Sequence, residues 1–194
     1  IGRAAFAGCS ELMSITIPNS VTRIGDYAFR GCTNITCVTL PGELRARSAF
    51  ETITEQGHIV PDTESIKTII VADGSCSIID CAFVGFTDVT NVVIPFGVTN
   101  IGRAAFHYCT NLTSVTIPGS VEAIGDMAFE DCWGLTNVTI GAGVKSIGVQ
   151  AFYNCYGLTN LTIPNSVTNV GDWAFSGCSG LSSVTIPDGV TIIS

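Results

Sequence analysis

Apolar positions recur along this chain in one repeated order. Eight phenylalanines, Phe6, Phe29, Phe50, Phe83, Phe106, Phe129, Phe152 and Phe175, are spaced by 23, 21, 33, 23, 23, 23 and 23 residues. Six residues after a typical Phe comes Leu-x-x-Val-x-Ile-Pro, as in Leu112, Val115, Ile117 and Pro118. Val and Ile alternate there with Ser, Asn and Thr, which predicts a short strand with one buried face. Proline ends it, having no N–H for a ladder. Val121, Val144 and their equivalents, with Ile124 and Ile147 three residues on, predict a return to the core. The Gly that follows is expected to permit a tight bend. The Asp after it, as in "GDMAF", is expected to cap one helical or 3-10 turn whose Ala and Phe point inward.

No single unit of this kind can bury its own apolar edge, so successive units must stack and share a core. Stacking places the strands side by side in a parallel sheet at about 4.8 Å spacing. The expected architecture is an α/β solenoid: one domain over residues 1–194, of about eight units, with the sheet on one face and short helical turns on the other. Three residues before each Phe stand Arg3, Asp26, Arg47, Asp80, Arg103, Asp126, Val149 and Asp172. Their alternating sign predicts an ion-pair ladder between coils, of small value per pair at a surface.

The phrase "IGRAAFHYCTNLTSVTIP" at 101–118, repeated with edits at 1–18 and 24–41, resembles the repeat of BspA-like leucine-rich repeat proteins, a class that includes treponemal members. The resemblance implies a right-handed superhelix with a concave sheet. It further implies an extracellular or cell-surface, non-catalytic role in adhesion to a host or matrix protein or glycan. It brings no catalytic residues with it.

Composition narrows the function. Charged residues make up 12% of the chain, and 16 acidic against 8 basic residues give a net charge of −8. That is no footprint for nucleic acid or an anionic membrane surface. The apolar stretches, such as 66–72, are strand-length, so no membrane insertion is expected. Six of the nine cysteines (Cys9, Cys32, Cys109, Cys132, Cys155, Cys178) stand three residues after a ladder Phe. That strict placement predicts buried thiols in a packing slot, with disulfides between neighbouring coils as the open alternative. Without a Cys-x-x-Cys pair, and with His58 and His107 the two histidines, neither a metal nor a cofactor is expected.

Function is then sought in the letters that vary. Residues 43–67 break the period, two residues short before Phe50 and ten too long after it, and hold eight of the 24 charged residues. An insertion in a solenoid maps to a projecting loop that can serve binding; Glu55 and His58 are its candidates, and drift of a degenerate repeat is the alternative. On the concave face, Ser114, Thr116, Asn137, Thr139, Asn160 and Thr162 form a polar, uncharged platform. Thr also simply suits exposed strand positions. A regular Thr array matching an ice lattice is a remote third idea, which curvature would spoil. Tyr108, Trp133, Tyr153 and Tyr156 fall within four residues after a ladder Phe, and His107 lies among them. Exposed, these aromatics make a protein- or sugar-binding stripe; packed between coils, they are rim. A structural spacer carrying another domain is the alternative function. The chain opens in mid-phrase at Ile1 and stops inside a further unit. Uncapped ends predict additional repeats or end-to-end self-association.

Overall fold

The computed structural model describes residues 1–45, 47–53, 59–61 and 64–190. Glu55, His58 and Asp62 lie outside the described residues. The chain winds into a solenoid whose concave face is one eight-stranded parallel sheet, in sequence order. Its strands are Ser14–Thr16, Cys37–Leu40, Thr68–Val71, Asn91–Val93, Ser114–Ile117, Asn137–Ile140, Asn160–Thr162 and Ser183–Thr185. The register follows the repeat, with Val115 opposite Val138 and Thr116 opposite Thr139. Alternate strand residues face in and out, as the period-2 pattern requires: Ser114–Ile117 is exposed, buried, exposed, buried.

The interior is a column of repeated side chains. In one coil, Val121, Ile124, Ala128, Phe129, Cys132, Leu135, Val138 and Ile140 are all buried. The Phe rings stack along the axis at 5.2–5.4 Å between centroids, with planes 5–25° apart. One break interrupts them. Phe86 stands in the slot that holds Cys in six other coils, and its ring meets Phe50 at 5.9 Å and Phe83 at 6.3 Å, both edge-on. A large ring thus fills the space where the irregular unit departs from the column.

That irregular unit leaves the sheet intact. Cys37–Leu40 pairs directly with Thr68–Val71. The extra residues depart through a 3-10 turn, Arg47–Phe50, and an antiparallel pair, Glu51–Ile53 with Ile59–Pro61. The Glu43 carboxylate repairs the shortened side of the unit by accepting the Cys76 and Ser77 backbone N–H groups at 3.0 and 3.3 Å.

The far side of the solenoid differs from the expected helical turns. Apart from Arg47–Phe50, the described residues hold no helix there. A second parallel sheet of two-residue strands runs through Ser77–Ile78, Asn100–Ile101, Ala123–Ile124, Ser146–Ile147 and Asn169–Val170. Beyond it, the coils other than that of Phe50 each turn through two residues in the left-handed region, such as Met127 (φ 56°) and Asp131 (φ 58°). Left-handed residues swing alternate N–H groups outward. Those of Met127, Phe129 and Asp131 donate to the carbonyls of Val149, Ala151 and Tyr153 in the next coil, at 2.8, 2.7 and 2.9 Å. A helix would spend the same N–H groups within its own coil and leave the coils unbridged on this side.

Two further expectations change. The glycine after Ile serves close approach of coils: a Cβ on Gly125 would stand 2.7 Å from the Gly102 carbonyl carbon, and one on Gly148 2.6 Å from the Asp126 nitrogen. Among the described residues the charged row forms no ion-pair ladder. Asp80 and Asp126 accept backbone N–H groups of the next coil, those of Arg103 and Val149, each at 2.8 Å. Arg3 instead lies over the Tyr27 ring, 5.5 Å from its centroid. A carboxylate that receives a fixed backbone donor gains directional bonding, which a flexible guanidinium at a wet surface does not match.

In the cysteine column Cys109, Cys132, Cys155 and Cys178 are buried thiols outside any disulfide, Cys32 is buried, and Cys9 is exposed. Each buried S–H points at the Phe carbonyl of the preceding coil, as Cys132 does to Phe106 at 3.3 Å. Burial pushes the Cys109 thiol up to about 12 and Cys132 well above its ordinary value.

Two expectations follow for stability. Gly125→Ala should cost about 2–3 kcal/mol, because backbone must move to admit the methyl group. Met127→Gly, two residues away, should stay within about 1 kcal/mol of the parent, since relief of the left-handed strain opposes the entropy of a new glycine; urea unfolding of the two variants checks the contrast. For Cys109 and Cys132, the native pKa values lie above the unfolded one. The native state therefore holds protons that the unfolded chain loses, and stability should fall as pH rises from about 8.5 toward 12. Each such thiol contributes a slope of about 1.4 kcal/mol per pH unit, readable by denaturant unfolding at pH 7.5 and 9.5 and reduced by Cys109→Ala.

Candidate functional site

Two surfaces carry the candidate residues, and the fold keeps them apart. The concave face bears Ser114, Asn137 and Asn160 in one cross-strand row and Thr116 and Thr139 in the next. All of these, and Thr162, are exposed. A shallow depression of about 350 Å³ is lined by Asn137, Thr139, Asn160, Thr162 and Pro164. The threonines just before the strands do a different job. Thr113, Thr136 and Thr159 each donate their hydroxyl to the carbonyl of the preceding member of that row, at 3.0, 3.0 and 3.4 Å. Thr in this sequence is therefore partly a coil-to-coil fastener, and the row facing the concave side is left to present hydroxyls to solvent.

The second surface is the edge where each coil leaves its left-handed turn and heads for the strand. In the coils of Phe106, Phe129 and Phe152, positions one, two and four residues after the ladder Phe reach solvent here. Most coils place small or polar residues in the last of these, such as Ser10, Thr33 and Ser179. In the coils of Phe106, Phe129 and Phe152 the edge becomes aromatic. Tyr108, Trp133 and Tyr156 are 42%, 45% and 47% exposed, which places them outside the core; Tyr153 is half-buried. The Tyr108 and Trp133 rings meet edge-on at 6.0 Å, and His107 lies edge-on to Tyr108 at 4.7 Å.

Polar groups order this edge. His107 Nδ1 is 3.2 Å from Glu130 Oε2, an ion pair whenever the imidazole is protonated. Asp131 Oδ1 accepts from Trp133 Nε1 at 3.3 Å and from Asn154 Nδ2 at 2.9 Å. The Glu130 carboxyl is held above its ordinary value by burial, with the His107 charge opposing and Asp131 adding to the rise. Glu130, Asp131 and Asn154 escape a reading along the chain. Glu130 and Asp131 share columns with His107 and Tyr108, one repeat on, and Asn154 follows Asp131 by one more, so comparison of equivalent positions across coils is the signal that reveals them.

With the coil, its two parallel sheets and its variable edge described, comparison with known proteins is decisive for the family. The model for the BspA type leucine rich repeat region matches residues 1–73 and 76–194. The chain belongs to this family. Among solved structures, the T. pallidum leucine rich repeat protein TpLRR is similar at 29% identity and a TM-score of 0.57, covering 93% of this chain and 70% of that one. The pneumococcal vaccine antigen PcpA shares the fold at 24% identity and a TM-score of 0.63, over 96% of this chain and 42% of its own. A leucine rich cell surface protein of Faecalibacterium prausnitzii matches at 25% identity and a TM-score of 0.51, over 90% of this chain and 47% of its own. This BspA-type chain thus spans under half the length of the last two. A search of curated protein sequences finds no match. Among the described residues, no helix is long and apolar enough to cross a membrane.

Proposed function

We propose that this BspA-type repeat array is a non-catalytic interaction module of a surface or secreted protein, and that it adheres to a host protein or glycan through its aromatic edge. Leucine-rich repeats of this family generally mediate protein interactions, which supports the first half of the reading. The F. prausnitzii relative, described as a cell surface protein, supports the location. The observation that carries the choice of surface is the cluster of exposed Tyr108, Trp133 and Tyr156 on neighbouring coils. Large, rigid aromatic groups supply most of the binding energy at protein interfaces and offer flat faces to sugars. The concave platform has area and hydroxyls but no such anchor, and its role in this reading is the weaker one of a complementary rim.

Binding to immobilised matrix proteins and to a glycan array, measured with the folded chain, tests the proposal. Trp133→Ala and Tyr156→Ala together should weaken the observed binding by tens of fold, about 2 kcal/mol or more. Thr139→Ala with Thr162→Ala should change it by less than about threefold. A folded chain that binds none of the probes, or whose binding depends on the concave threonines alone, overturns the reading; the former outcome favours a spacer.

A further inference from the structure

The edge also holds a set of ligands that the interaction reading does not use. His107, Glu130 and Asp131 each bring a coordinating atom to one spot, all within 4.8 Å of one another. His107 Nδ1 and Glu130 Oε2 are 3.2 Å apart. That matches the edge of a tetrahedron with zinc-type bonds of 2.0–2.1 Å, which is about 3.3 Å. The histidine suits such a site: its Nδ1 is shielded from solvent, makes no hydrogen bond, and has the Glu130 carboxylate as its ionic neighbour at 3.2 Å. We propose that His107, Glu130 and Asp131 form a binding site for a divalent transition-metal ion of the zinc class.

The surroundings fit that role. Trp133 Nε1 and Asn154 Nδ2 hold Asp131 Oδ1, leaving the other carboxylate oxygen for an ion. Outer partners of this kind orient a ligand and raise affinity. The Tyr108 ring, edge-on to His107, restricts the imidazole. Two carboxylates adjacent in sequence and half-buried repel each other, and a dication removes that repulsion. One imidazole with two carboxylates suits zinc better than calcium or magnesium, which prefer all-oxygen shells. Three protein ligands leave a fourth position for water. The inference is independent of whether the edge binds a host molecule.

Zinc titration by calorimetry tests it directly. The full chain is used with Cys9, Cys37, Cys76 and Cys81 changed to Ser, so that accessible thiolates do not bind the metal. About one zinc ion per chain is expected, with the affinity falling at least about tenfold in His107→Gln and in Asp131→Asn. Asn154→Ala, a change to a positioning residue, should weaken zinc by about tenfold while leaving the metal-free melting temperature within a few degrees. Melting curves without zinc confirm that each variant is folded. Zinc bound equally by parent and His107→Gln, no saturable binding up to about millimolar zinc, or calcium displacing zinc at equal concentration overturns the proposal.

Discussion

Everything in this protein depends on one constraint: no coil can satisfy its own backbone or bury its own apolar residues. The hydrogen bonds that close the structure run between coils. On the sheet side N–H groups reach back to the preceding coil, as Thr136 does to Thr113, and on the turn side they reach forward, as Met127 does to Val149. Each interior coil is therefore held from both neighbours. The left-handed residues, the glycines that permit close approach and the carboxylates of Asp80 and Asp126 all serve that reach. The stacked Phe rings fill what the backbone encloses.

This constraint also explains what the sequence discloses and what it hides. The Phe period and the Val-x-Ile alternation reveal the sheet, its direction and its register, because core residues must recur at every coil. Positive φ at Met127, Gln150 or Trp173 has no such marker, since the residue types there are not those that favour it. Turn residues that look like helix starters consequently suggest helices that do not form. Phe86 lies outside the eight-Phe period, so the period does not show that it fills the column beside the shortened unit. At the candidate edge, the aromatic residues stand out along the chain. Glu130 and Asp131 do not, because their relation to His107 crosses from one coil to the next.

Repetition divides the residues into two classes. Positions that face a neighbouring coil are fixed by the period and have little freedom to acquire a function. Positions that face solvent are free, and the coils of Phe106, Phe129 and Phe152 use that freedom to gather His107, Tyr108, Glu130, Asp131, Trp133 and Tyr156 on one edge. A rigid solenoid then holds them without further support from a pocket. The same edge can in this way combine aromatic anchors with an ordered polar cluster, while the concave sheet beside it remains uniform.

The central claim is that coil-facing residues hold the fold and edge residues are free of it. Thermal unfolding of two variants tests it most directly. One carries His107→Ser, Tyr108→Gly, Glu130→Ser, Asp131→Gly, Trp133→Thr and Tyr156→Thr, which writes the small residues of other coils into the edge; the other is Phe129→Ala alone. The account predicts that the sixfold variant melts within about 5 °C of the parent. The single core change, costing about 3–5 kcal/mol, should lower the melting temperature by about 10 °C or more. A sixfold variant that loses as much stability as Phe129→Ala would contradict the account.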